Sequence, residues 1–129
     1  MFKVNKNSNK NVYTYNDLAK TVISQDIEQV SQWLKSKNLN FRFDKLAVKT
    51  IKKQIEEMYF SYEEFSEDEE RTDKIVEEIE NSGKLYPIFI EENDSNYFVM
   101  EGRHRMVAMW KMGYRKLPVM FVSENKNET

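Results

Sequence analysis

From Asp17 onward, apolar residues recur at Leu18, Val22, Ile23, Ile27, Val30, Trp33 and Leu34. That spacing is close to 3.6 residues and predicts an amphipathic helix, with Thr14 or Asn16 as its N-cap and Lys37-Asn38-Leu39-Asn40 as its stop. Residues 1–12, rich in Asn and Lys, have little to bury and are expected to fray. Between Phe41 and Phe65 two readings stand side by side. Asp44 can cap a helix with Leu46, Ala47, Ile51, Ile55 and Met58 on one face, or Leu46, Val48 and Thr50 can alternate as a short strand. The cluster Met58-Tyr59-Phe60-Ser61-Tyr62 is rich in strand formers and must bury something.

The pattern then sharpens. Glu67-Asp68-Glu69-Glu70 suits a helix start, since acids complement the positive end of the helix dipole. That helix should run to about Asn81, bury Ile75, Val76 and Ile79, and stop at Gly83 in the left-handed conformation. Tyr86-Pro87-Ile88-Phe89-Ile90 predicts a strand entered at a proline, which cannot donate to a ladder. A polar turn over Glu91–Asn96 leads into Tyr97-Phe98-Val99-Met100, completing a β-hairpin. Gly102 breaks it, Arg103–Lys111 predicts a helix ending at Gly113, and Leu117–Val122 predicts a last strand. Helix, strand, strand, helix, strand with short connections is an α+β core of about fifty residues.

Composition narrows the class. A chain of 129 residues with 40% hydrophobic and 13% aromatic content fits one domain with a real core. No run of about 18 apolar residues predicts a membrane span, and Met1-Phe2-Lys3-Val4-Asn5-Lys6 lacks the apolar stretch of a secretory leader. The absence of cysteine excludes disulfides, thiolate metal sites and a cysteine nucleophile, so a cytoplasmic location without membrane contact is the expectation. Net charge is -2 but unevenly spread: residues 1–58 hold eleven Lys/Arg against six Asp/Glu, and residues 59–129 hold nine against sixteen. Ten of the eighteen residues from Glu63 to Glu80 are acidic. The basic half can attract nucleic acid, and the acidic block repels it.

Chemistry concentrates at Glu101-Gly102-Arg103-His104-Arg105. A helix start carries unpaired N–H groups and partial positive charge, which draw anions. Gly102 can let a ligand approach the backbone, and two arginines with one histidine add cationic donors suited to phosphate. The competing reading is that these cations pair with the chain's own acids, Glu101 and the Glu63–Glu80 block among them.

The ordered set Lys74–Ile79, Gly83-Lys84-Leu85-Tyr86-Pro87-Ile88, Val99–Ala108 and Met112–Val119 resembles the ParB/sulfiredoxin superfamily. Its members share a helix ending in Gly, a strand beginning near Pro, a Gly-x-(His/Arg)-Arg junction, and an Ile/Leu-Pro-Val strand. The resemblance implies a ParB/sulfiredoxin-like domain over residues 41–122, preceded by a tail and helical extension over 1–40 and followed by a polar tail over 123–129. It implies a nucleotide, ATP or ADP or else CTP, whose phosphates rest on Gly102, Arg103, His104 and Arg105 with Mg²⁺. Arg71 and Lys74 on the preceding helix would meet the same anion, while Glu78 stands where the superfamily has a Thr. Sulfiredoxin activity is excluded, because Arg103 stands where that nucleophilic cysteine would lie. A full chromosome-partition ParB would carry a helix-turn-helix and a dimerisation region after this domain, and only about seven polar residues follow Val122.

The nearest small enzymes of the superfamily are free-serine kinases. They too have an acid before the glycine, here Glu101, and an upstream acidic pair, here Glu63 and Glu64. Phosphotransfer or nucleotide hydrolysis is thus one expectation, with Glu101 and His104 as catalytic candidates. The alternative is a non-enzymatic factor of a phage, plasmid or other mobile element. It would bind a protein or a second copy through the Met/Trp-rich C-terminal half around Trp110, or DNA through the basic N-terminal half, including Lys49, Lys52 and Lys53.

Overall fold

The computed structural model describes residues 18, 20–35, 39–63, 66–93 and 96–124. Thr14, Asn16 and Glu64 lie outside them, as does the C-terminal tail from residue 125. The first element is helix α1, Lys20–Leu34, which buries Ile23 and Val30 at its expected period. Leu18, just before it, makes an isolated parallel bridge to Leu85. Lys35, at φ 53°, turns the chain out of the helix.

The ambiguous stretch holds a strand and then a helix, neither at the expected bounds: the strand lies earlier than residues 46–50, of which Val48 and Thr50 fall in a turn, and the helix starts later than Asp44. Strand β1 spans Leu39–Ala47, a short 3-10 turn follows at Val48–Thr50, and helix α2 runs Lys52–Phe60 around the buried Ile55. Asp44 therefore caps no helix. Its carboxylate instead accepts from Arg42 at 2.9 Å and from the Lys45 N–H at 2.7 Å. The strand wins there because each of its nine residues has a partner on a strand near the C-terminus, from Leu39↔Glu124 to Ala47↔Lys116. No local propensity reports a partner 69 to 85 residues away.

Helix α3 spans Ser66–Ser82 with Val76 and Ile79 buried. It ends where the Gly83 N–H reaches the Ile79 carbonyl at 2.8 Å with Gly83 at φ 69°. Strands β2 (Ile88–Asn93) and β3 (Asn96–Glu101) form the hairpin, helix α4 spans Arg103–Lys111, and β4 spans Lys116–Glu124. The sheet order is β1-β4-β2-β3, with β4 antiparallel to β1 and parallel to β2. As an inner strand, β4 buries Leu117 and Val119 through Val122 in succession. Pro118 fits this inner strand because its partner is Lys45 on β1, while pairing to β2 begins only at Val119.

The expected α+β class holds: among the described residues four helices and one mixed four-stranded sheet share a buried cluster. Helix α4 is enclosed, with Met106, Val107, Ala108 and Met109 all buried and with α2, α3 and β2 packed about it. Met112 and Met120 are buried as well. Met106, Met109, Met112 and Met120 are therefore core rather than an adaptable partner surface, while Met100 is half-buried. Trp110 is half-buried, edge-on to Tyr59 at 5.1 Å between centroids. Among the described residues no helix is long and apolar enough to cross a membrane.

Candidate functional site

The junction begins at Gly102, which leaves β3 at φ 95° and serves as N-cap of α4. A left-handed residue is costly for anything but glycine. A Cβ there would also meet Ile88 Cγ2 at 3.1 Å and Arg105 Cδ at 3.2 Å. Packing and backbone conformation thus already require glycine here. Having no side chain, it leaves the start of α4 without a side-chain cap, where a Ser or Asp would satisfy an N–H.

Arg105 turns inward. It donates to Asp26 Oδ2 at 2.6 Å and to the Pro87 carbonyl at 3.1 Å, and both ion-pair partners keep only 13% of their side-chain exposure. Its guanidinium lies 5.9 Å from the centroid of the Tyr86 ring. Burial pushes the Tyr86 hydroxyl above its ordinary value, and the charge of Glu78 and its hydrogen bond to that hydroxyl push it further, while Arg105 pulls it down. His104 pairs through Nε2 with Asp68 Oδ1 at 2.8 Å, in the first turn of α3. The internal-pairing reading therefore accounts for Arg105 and His104, two of the junction's three basic residues.

Arg103 differs. It is exposed, and among the described residues it makes no hydrogen bond or ion pair. Its charge is felt at the Tyr62 hydroxyl. It lines a groove of about 540 Å³ together with Gln54, Glu57, Met58, Phe98 and Met100. Phe98 is 66% exposed there. Glu101 ends β3 half-buried, and among the described residues its side chain also makes no hydrogen bond or ion pair.

On α3 the spacing of Arg71, Lys74 and Glu78 puts them on one stripe. The stripe reaches the junction through Glu78 and Tyr86. Arg71 and Lys74 are exposed, and among the described residues no hydrogen bond or ion pair joins either to α4. Nothing is described of the Glu63 side chain, and Glu64 lies outside the described residues. Among the described residues no group of three acidic or histidine side chains is arranged to hold a metal.

Two features, one at this site and one away from it, escaped sequence reasoning. Asp26 had a signal: it sits three residues after Ile23 and four before Val30, an acid on the buried stripe of α1. The second is a basic groove of about 710 Å³ in which Lys49 and Lys52 of the first half meet Arg115 and Lys116 of the second. Splitting the chain into a basic and an acidic half had hidden that meeting.

No curated protein and no solved structure matches the chain. A family model, the ParB N-terminal domain, matches residues 32–129. That span runs from the end of α1 through the whole sheet, with the Gly102 junction inside it. The chain therefore belongs to the ParB N-terminal domain family, within the ParB/sulfiredoxin superfamily.

Proposed function

We propose that the mouth of α4 binds the phosphates of a nucleotide, with Arg103 as its principal side-chain contact. The observation that carries this reading is the exposed Arg103 on an uncapped, glycine-started helix, beside a groove of mixed polar and apolar lining. Backbone N–H groups of the first turn would supply the remaining donors. The residues suit phosphate oxygens, and Arg71 and Lys74 would add long-range attraction. Arg105 and His104 serve the site differently from a direct grip: held by Asp26 and Asp68, they fix the turn. Mg²⁺ has no prepared ligand cluster among the described residues, so it would arrive with the nucleotide, as is common for this ion.

The test is calorimetric titration of ATP, ADP and CTP, each with Mg²⁺, against the protein and Arg103→Ala. Loss of a charge-assisted phosphate contact should weaken binding about tenfold or more. Silence for all three nucleotides, or equal affinity in the variant, would overturn the reading. Arg103 is the clean probe because Arg105→Ala would also break a buried ion pair.

Turnover is the next step of the same proposal. Glu101, unpaired among the described residues and adjacent to the turn, would accept a proton from the attacking hydroxyl or water. Glu101→Gln should then abolish phosphotransfer or hydrolysis while preserving binding. A non-enzymatic reading is favoured by one observation, the internal pairing of His104 with Asp68, which engages its Nε2. If that reading holds, nucleotide binds without any product forming.

A further inference from the structure

At the opposite end of α4 from Gly102, about 13 Å along the helix, lies the basic groove. Its lining brings Lys49 and Lys52 together with Arg115 and Lys116 around Trp110 and Tyr114, and no carboxylate is among the lining residues. The elements fix this arrangement. The antiparallel pair Ala47↔Lys116 and the Val48 N–H to Arg115 carbonyl bond at 2.8 Å hold the end of β1 against the start of β4. The chain from α4 passes under both through Gly113 at φ 94°. Lys49, Lys52, Arg115 and Lys116 are exposed, while Trp110 and Tyr114 are half-buried. Lys52 has a single loose partner, Glu56 at 3.6 Å.

Four cations on one rim, in a chain of net charge -2, are mutually repulsive and expose a strong local positive potential. The complementary guest is a polyanion. The aromatic floor selects among polyanions, because a ring set beneath a cationic rim can stack on a flat base while the rim holds the adjoining phosphates. A double helix hides its base faces in its own stack, and an acidic peptide has none. We propose that this groove binds single-stranded nucleic acid, with backbone phosphates on Lys49, Lys52, Arg115 and Lys116 and a base over Trp110 and Tyr114. The site is separate from the α4 mouth and does not depend on nucleotide binding there.

The test is fluorescence anisotropy of the full chain with a labelled single-stranded oligothymidine, its duplex counterpart, and a polyglutamate peptide of similar charge. Saturable binding to the single strand should exceed both others, and log affinity should fall with log salt with a slope of about 2 to 3. The double variant Lys49→Ala/Lys116→Ala should bind about tenfold more weakly and lower that slope by about 1.4. Lys84→Glu, which changes net charge equally but lies outside the groove, should bind as the parent does. Trp110→Leu should lose affinity by about fivefold or more, and Trp110→Phe should retain most of it. Melting temperatures of all variants separate loss of fold from loss of contact. Equal or tighter binding of duplex or peptide, or parental affinity in the double lysine variant, would overturn the proposal. So would the absence of binding to any of the three probes.

Discussion

At the scale of single residues, the junction shows how one short motif divides its labour. Two arginines in one turn would repel each other and the helix dipole. The fold relieves this by giving Arg105 to Asp26 and His104 to Asp68, so that Arg103 alone faces outward. The Arg105–Asp26 pair is mostly buried, and removing one partner leaves an uncompensated charge. Asp26→Ala should therefore cost about 3–5 kcal/mol in stability, measured by urea denaturation. A change below about 1 kcal/mol would mean that the pair is solvated. Gly102→Ala should cost about 1–2 kcal/mol from the left-handed backbone alone, and more if Ile88 cannot yield.

At the scale of elements, legibility followed the distance of the stabilising partner. Helix α4 could be placed from its own residues, because Gly102 and Gly113 punctuate it at both ends. The hairpin of β2 and β3 was equally local. Strand β1 had a local signal that the sequence reading missed, since Leu39, Phe41 and Phe43 alternate strictly with Asn40, Arg42 and Asp44, while its partners on β4 lie far along the chain. Helix α2 was anticipated in kind but displaced from Asp44 to Lys52 by the space β1 takes. The acidic block illustrates a subtler gap. It was legible as a helix, but its purpose in pairing with α4, through Asp68–His104 and Asp73–Lys111, needed the fold to bring the two elements together. Helix α1 is fastened by Ile23, Val30 and Asp26 to the same core as the sheet. Ile23→Ala should accordingly cost about 2–5 kcal/mol by the same denaturation assay. A loss under about 1 kcal/mol would show α1 to be an appendage.

At the scale of the whole molecule, the charge map is a matter of geometry rather than of sequence halves. Acids gather on α3, while Lys49, Lys52, Arg115 and Lys116 gather beyond the far end of α4. The core also carries a pH signature. Burial raises the Tyr62 hydroxyl above its ordinary value of 10.0, as do the charges of Asp68 and Asp73, against the lowering influence of Thr72 and Arg103. Tyr62 and Thr72 share a buried hydrogen bond of 2.6 Å. A group raised in the folded state contributes stability that is complete below its unfolded value and lost as pH climbs through its folded value. Melting temperature should therefore be flat to about pH 9 and fall above 10, and Tyr62→Phe should flatten part of that fall at a cost of about 1 kcal/mol below it. An alkaline limb unchanged in the variant would remove Tyr62 as its source.

The central claim, that the first turn of α4 holds phosphate, is tested most directly by the backbone amide resonances of the full chain during titration with nucleotide and Mg²⁺. The account predicts that the amides of Arg103, His104 and Arg105 shift first and saturate together, and that Arg103→Ala moves the midpoint to higher nucleotide. Shifts confined to other elements, or unmoved amides at those three residues while nucleotide binds, would contradict it.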